Sequence, residues 1–281
     1  MKNIFLFLAV FFSLAMHAQP NNSPIYVNVT GEGNPIMLIP GFAVPGESWD
    51  ATVNQLKKNY ECHVVTLAGF GGKEPIGFPW LPKVNKALED YISDNQLTNL
   101  TVIGHSMGGT IATWLAAGEN TAISKIILVD ALSAAGALMI PDFNAEDLTY
   151  DSPFNNQVLA MNDTEFAGMA SGMVTGMSLN PETQTKIKDW IMMADRETYV
   201  FGYTDYLKLD VREDLKNIAI PVKIIAADKP YGKEMATQTY NSQYANLANY
   251  DLIIATNSAH FVMFDQPEWF IEQIQQILSA K

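Results

Sequence analysis

Apolar residues fall into short continuous runs at Pro35 to Ile39, Cys62 to Leu67, Leu100 to Ile103, Lys125 to Val129, Val222 to Ala227 and Leu252 to Ala255. Runs of this kind predict strands buried on both faces. Ile25 to Thr30 alternates instead, as an outer strand does, and runs into the turn Gly31-Glu32-Gly33. Helices are predicted between the strands. Ser48 can cap one running to about Asn59, Pro82 opens another to about Asp94, a small-residue helix reaches Ala117, and a last one follows Pro267. Strands that alternate with helices at this spacing predict an α/β fold, a mostly parallel sheet with helices on both faces. Functional groups in such sheets collect beyond the carboxyl ends of the strands.

The alternation stops between Asp130 and Val222. This stretch lacks buried-strand runs and predicts a helical insertion over 132–215, set on a core built from 19–131 and 216–281. Within it Met169, Met173 and Met177 form an i, i+4, i+8 stripe, with Gly168, Gly172 and Gly176 beside it. The stripe reads either as an adaptable apolar wall over a site or as ordinary packing with glycines allowing close approach. Phe78, Pro79, Trp80, Trp190 and Tyr203 are candidates for the entrance. Arg196 and Arg212 form no evident carboxylate clamp.

Residues 1–18, MKNIFLFLAVFFSLAMHA, read as an export leader: Lys2, then an apolar segment too short to span a bilayer, then Ala18 before the cut. Met16 is large for its place in a cleavage site. A periplasmic or secreted protein is expected. After the leader no apolar run reaches membrane-spanning length. The 281 residues, 48% hydrophobic and 17% charged, suffice for one large core and exclude a disordered chain. The formal net charge of −13 makes nucleic acid an unsuitable partner. The single cysteine, Cys62, forms no intrachain disulfide and sits in a strand-like run as a small buried hydrophobe.

Candidate chemistry starts at Gly104-His105-Ser106-Met107-Gly108, a G-x-S-x-G between an apolar run and a small-residue helix. A strand-to-helix turn this tight needs small flanking residues, and it thrusts the serine out at the top of the sheet. Ser106 is the candidate nucleophile; the bland reading is a helix-capping serine. A serine hydroxyl needs a base. Of the four histidines, His17 lies in the leader, His105 in the turn and His63 inside a strand, which leaves His260. An acid must orient that imidazole. Asp228 and Asp130 each end a strand and each satisfy the chain order serine, acid, histidine. Asp228 is favoured, because its strand should neighbour the one that feeds His260. Two backbone donors are expected for a developing oxyanion, the N–H groups of Met107 and Phe42.

The chain resembles the α/β-hydrolase superfamily, in the branch with a helical cap. The marks are Ile39-Pro40-Gly41-Phe42, Gly69-Phe70-Gly71, the serine turn, His260-Phe261, and Gln266-Pro267-Glu268-Trp269-Phe270. It departs from many members in having Pro40 where a histidine stands and Thr66-Leu67-Ala68 where an Asp-x-Pro stands. Ser106 argues against dehalogenase and epoxide hydrolase chemistry, which use an aspartate nucleophile. The resemblance implies a serine hydrolase, first of all a carboxylic-ester hydrolase acting on a small to medium, uncharged or apolar acyl substrate. The alternatives are carbon–carbon bond hydrolysis or perhydrolysis by the same triad, or a non-catalytic binding protein on this scaffold. The expected partner is a small-molecule substrate. No cofactor or metal is expected, because the chain has no metal-ligand spacing and no dinucleotide loop.

Overall fold

The structure, a computed structural model, describes residues 22–118 and 121–280. The leader expected over residues 1–18 lies outside the described residues. The strands are β1 (Ile25–Thr30), β2 (Asn34–Ile39), β3 (Tyr60–Leu67), β4 (Leu100–His105), β5 (Ile123–Val129), β6 (Val222–Ala227) and β7 (Asp251–Ala255). They form one sheet in the order β1-β3-β2-β4-β5-β6-β7. Only β1 runs antiparallel to its neighbour. Most of the runs that predicted buried strands are buried: Met37, Leu38 and Ile39 of β2, Val102 and Ile103 of β4, and Ile126 to Val129 of β5 have no exposed surface. The run Leu252 to Ala255 differs, because β7 is the edge strand and Leu252, Ile253 and Ile254 are only half-buried. Each fully buried side chain of this kind contributes about 1.5–3 kcal/mol of transfer free energy.

Helices α1 (Asp50–Leu56), α2 (Leu81–Asp94) and α3 (Met107–Ala117) follow β2, β3 and β4. The helix expected from Ser48 starts later. Ser48 lies inside a 3-10 turn, Gly46–Trp49, entered from Pro45, and makes no cap. The segment between β5 and β6 holds α4 (Ala135–Met139), α5 (Pro153–Ala160), α6 (Asp163–Val174), α7 (Pro181–Met193) and α8 (Arg196–Lys208). After β6 come α9 (Lys233–Gln243), α10 (Val262–Asp265) and α11 (Pro267–Ser279). Helix α9 has no counterpart in the sequence-based reading. It buries only Ala236, Tyr240 and Gln243, a stripe too narrow to stand out among its polar residues.

Polar contacts tie the helical segment to α2 and to the turn after β2. Asp205 of α8 accepts from the Trp80 and Leu81 amides at 2.6 and 3.1 Å, capping α2 from a distant part of the chain. The same carboxylate accepts from the Tyr150 hydroxyl at 2.6 Å. Trp190 of α7 donates its indole N–H to Glu47. Trp80 and Trp190 are core residues and not the entrance.

Two helical glycines face opposite situations. A Cβ on Gly136 would meet the Leu207 carbonyl oxygen at 2.0 Å, so α4 touches α8 through a missing side chain. Around Gly168 nothing lies within 4 Å, so α6 gains nothing from that glycine by close approach. Gly168→Ala is therefore expected to raise stability by about 0.5–1 kcal/mol. Gly136→Ala is expected to lower it by about 2 kcal/mol or more. Urea unfolding of the two variants measures both.

Candidate active site

The turn after β4 is set by sterics. A Cβ on Gly104 would lie 2.3 Å from the Gly108 carbonyl oxygen, and one on Gly108 would lie 2.3 Å from that of Ile39. The crossing is that close because α3 starts at once, and Ser106 takes φ 53°, ψ −126° to make the corner. A non-glycine residue there costs about 1–3 kcal/mol. The surroundings hold it: Ser106 donates its amide to Val129 at 2.9 Å, and Gly109 donates to the Ser106 carbonyl at 2.8 Å. Ser106 lines a cavity of about 380 Å³, a size ordinary for small-molecule sites.

His260 lines the same cavity from the loop after β7. That loop is held at several points. Lys229 donates its amide to Ser258 at 3.0 Å, Ala259 donates to the Asp265 carboxylate at 2.8 Å, and Phe261 donates to Met177 at 2.9 Å. Asp265 also takes the Ser178 hydroxyl at 2.5 Å, so one carboxylate joins the histidine loop to the helical segment. Asp265 escaped sequence reasoning because it sits in an ordinary helix-end setting.

The carboxylate in contact with His260 is that of Asp130 and not that of Asp228, which the sequence favoured. Asp130 Oδ2 lies 2.7 Å from His260 Nδ1. The Asp228 carboxylate instead accepts from the Ser258 amide at 3.2 Å, with the Lys229 ammonium 3.6 Å away. The reason is strand spacing. An imidazole that serves a serine at the end of β4 finds β5 one strand away, about 5 Å, and β6 about 10 Å. Proximity of β6 to β7 in the sheet does not matter, because the loop after β7 folds back across the tip of β6. Asp228 braces that loop.

Asp130 is a residue at φ 45° whose Oδ1 also accepts from the Ala227 amide at 2.8 Å and the Tyr240 hydroxyl at 2.9 Å. Burial works to raise its carboxyl. The His260 hydrogen bond and charge, with the Ala227 and Tyr240 donors, outweigh it and hold the carboxyl below its usual range. His63 is a satisfied core residue, between Tyr91 at 2.8 Å and Glu61 at 2.9 Å.

The loop after β2 closes on the turn. A Cβ on Gly41 would lie 2.9 Å from His105 Nδ1 and 3.3 Å from Ser106 Cβ. Phe42 follows and lines the cavity. Met107 is the first residue of α3, where backbone N–H groups have no partner within the helix. Tyr203, Met169, Met173 and Met177 also line the cavity, so the methionine stripe forms part of its wall. Arg196 lies over the Phe166 ring at 3.7 Å and Arg212 pairs with Asp210 at 2.6 Å; neither lines the cavity. Among the described residues no cluster of His, Cys, Asp and Glu is placed to hold a metal ion, and no helix is long and apolar enough to cross a membrane.

The sequence pattern of the alpha/beta hydrolase family matches residues 36–273. The chain belongs to that family. As an α/β-fold hydrolase it is similar to a pimeloyl-[acyl-carrier protein] methyl ester esterase of Vibrio cholerae. The two are 23% identical over 204 residues, 70% of this chain and 76% of the relative. It is also similar to the non-heme chloroperoxidase CPO-A1 of Kitasatospora aureofaciens, 27% identical over 223 residues, 73% of this chain and 77% of the relative. Among solved structures, an esterase from Exiguobacterium antarcticum superposes with a TM-score of 0.77 at 19% identity, covering 91% of this chain and 96% of that one. An enol-lactonase from Burkholderia xenovorans gives the same score at 15% identity, with the same coverage of both chains. These superpositions establish the hydrolase fold.

His105 sits beside Ser106 and beneath His260. Its Nε2 is 3.0 Å from the His260 carbonyl oxygen, which can only accept, so Nε2 carries the proton and Nδ1 is a bare lone pair. Burial first, then the nearby His260, pushes the His105 imidazole down to about 3 from an ordinary 6.5. The folded hydrolase keeps it neutral, whereas the unfolded chain protonates it below pH 6.5. Between those values the unfolded state holds the extra proton, so stability falls as pH falls. His105→Gln, which retains a donor, is expected to make that fall shallower by up to about 1.4 kcal/mol per pH unit. Urea unfolding at a series of pH values from 7 to 4 reads the slope.

Proposed function

We propose that this hydrolase cleaves carboxylic esters with Ser106 as nucleophile, His260 as base and Asp130 as the acid that orients it. The observation that carries the reading is the 2.7 Å contact between His260 Nδ1 and Asp130, with His260 and Ser106 on one cavity. With Nδ1 committed to the carboxylate, Nε2 is the ring nitrogen free to take the Ser106 proton. The serine oxygen attacks the acyl carbon, and the Phe42 and Met107 amides hold the oxyanion. The imidazolium, stabilised by Asp130, protonates the departing alcohol, and water then repeats the sequence on the acyl-enzyme.

The substrate class follows from the wall. Apart from Ser106, Asp130 and the two histidines, and from Lys229 and Thr239, the cavity is lined by apolar and aromatic residues. Leu138, Met139, Phe154 and Met173 line it while remaining 40–61% exposed, so the apolar surface continues out to the mouth. An uncharged ester with a small to medium apolar acyl group suits that surface. The relatives named as esterases support ester hydrolysis. The relative named as a chloroperoxidase favours a second reading, in which peroxide replaces water on the acyl-enzyme. The leader-like sequence of residues 1–18 supports the reading of a periplasmic or secreted location.

Ser106→Ala is expected to cut turnover of chromogenic esters by about 10⁴-fold or more while the protein stays folded by circular dichroism. Undiminished turnover would exclude the assignment. Asp130→Asn is expected to lower kcat by about 10²–10⁴-fold, through loss of the imidazole's orientation and charge partner. Asp228→Asn should cost less than about tenfold, because its carboxylate meets the Ser258 amide and Lys229 and not the His260 ring. The reverse ranking in steady-state kinetics would return the acid's role to Asp228.

A further inference from the structure

Two phenols on the roof of the cavity lack a strong hydrogen-bond partner. Tyr199 and Tyr203 stand one turn apart on α8, and both line the cavity. Their rings pack on that of Phe42, with centroids 5.3 and 5.1 Å away, so they stand beside the loop that closes on Ser106. The Tyr199 hydroxyl meets the Met173 sulfur at 3.4 Å and the Tyr203 hydroxyl meets the Met139 sulfur at 3.7 Å. A thioether is a weak acceptor. Both methionines are exposed, 40% and 59% accessible, and a methionine side chain is unbranched and adaptable.

Other phenols of this protein are satisfied differently. Tyr150 donates to Asp205, Tyr240 to Asp130 and Tyr244 to the Ala131 carbonyl, each to an oxygen within 2.9 Å. Buried hydroxyls normally find such a partner; Tyr199 is buried and Tyr203 half-buried. Desolvation raises both phenols, Tyr199 to about 12, so they stay protonated donors at neutral pH. Two neutral O–H groups that face an apolar cavity against displaceable sulfurs are set to receive an acceptor that the protein itself does not provide.

We propose that Tyr199 and Tyr203 are specificity-determining residues, and that the preferred substrate is an ester whose acyl chain carries a second, neutral oxygen acceptor such as a ketone. The proposal rests on the ester-hydrolase reading and narrows it. A purely hydrocarbon chain leaves the phenols on their thioethers, whereas an oxo group replaces a weak O–H···S contact with an O–H···O one. A carboxylate is a poorer fit, because its charge would be desolvated against an apolar wall. A site that hydrogen-bonds a substrate oxygen discriminates against analogues lacking it.

The experiment compares methyl hexanoate with methyl 3-oxo-, 4-oxo- and 5-oxohexanoate and with the monomethyl ester of adipic acid. Wild type is expected to favour one oxo ester over the plain one by about tenfold in kcat/KM. That ratio should fall towards one in Tyr199→Phe or Tyr203→Phe, which keep the ring on Phe42 and remove only the hydroxyl. Binding of the same esters to Ser106→Ala by calorimetry needs no turnover and should show the same preference. A ratio near one for every oxo ester in both assays, or one retained in both phenylalanine variants, overturns the proposal. So does an adipate ester that outruns the oxo esters. If wild type turns over none of these esters yet Ser106→Ala shows the binding preference and the phenylalanine versions of it do not, ester hydrolysis fails and the phenol assignment stands.

Discussion

The site depends on one steric constraint, the approach of α3 to β2 and β4 at the serine turn. Gly104 and Gly108 leave room for a backbone crossing that any Cβ would block at 2.3 Å, and Ser106 takes a left-handed corner between them. The strain of that corner is offset by hydrogen bonds from Ser106 to Val129 and from Gly109 back to Ser106. Nothing about the corner requires a particular chemistry. It turns the serine side chain out of the sheet and leaves the first amides of α3 unpaired beside it, and both consequences follow from backbone geometry alone.

Around that corner the sheet order decides which groups can meet. β4 lies between β2 and β5, so the Gly41–Phe42 loop arrives from one side and Asp130 from the other. The histidine comes from β7, at the far edge, on a loop that must cross β6. Its position is therefore held by many weak ties: the Asp228 carboxylate on Ser258, Asp265 on Ala259, Met177 on Phe261, and His105 under the His260 carbonyl. Asp130 receives three donors, which keeps its carboxylate charged against burial. The charge that orients His260 is thus maintained by groups from β6 and α9 as well as by the histidine itself.

This division of labour explains what was legible in the sequence. The buried strands announced themselves because each is a short run of apolar residues, and Gly104–Gly108 because the corner admits few residues. His260 followed by elimination. The choice between Asp130 and Asp228 was not legible, since both end apolar runs and both precede the histidine; it depends on the path of a loop across the sheet. The Asp205 carboxylate was invisible because the amides it caps, Trp80 and Leu81, are far away in sequence, and Asp265 because its helix-end setting is ordinary. Helix α9 was hidden by its polar composition, although its Tyr240 reaches Asp130. The methionine stripe of α6 showed its spacing but not its role, because periodicity says which residues share a face and not what that face covers.

The helical segment joins this framework through two kinds of contact with different consequences. Asp205 on the α2 amides and Glu47 on the Trp190 indole are buried or half-buried polar contacts with directional geometry, and they fix where the segment sits. The wall facing Ser106 is made instead of methionines, leucines and aromatic rings, with exposed residues at its mouth. Apolar contacts of that kind have no preferred direction, and methionine adapts to many shapes. The placement of the roof is therefore specified tightly while its inner surface is left compliant. Phe42 stands where the two regimes meet: its backbone belongs to the loop that closes on Ser106, and its ring belongs to the cluster with Phe70, Tyr199 and Tyr203. The same aromatic packing thus positions the loop beside the serine and presents two phenol hydroxyls to whatever fills the cavity.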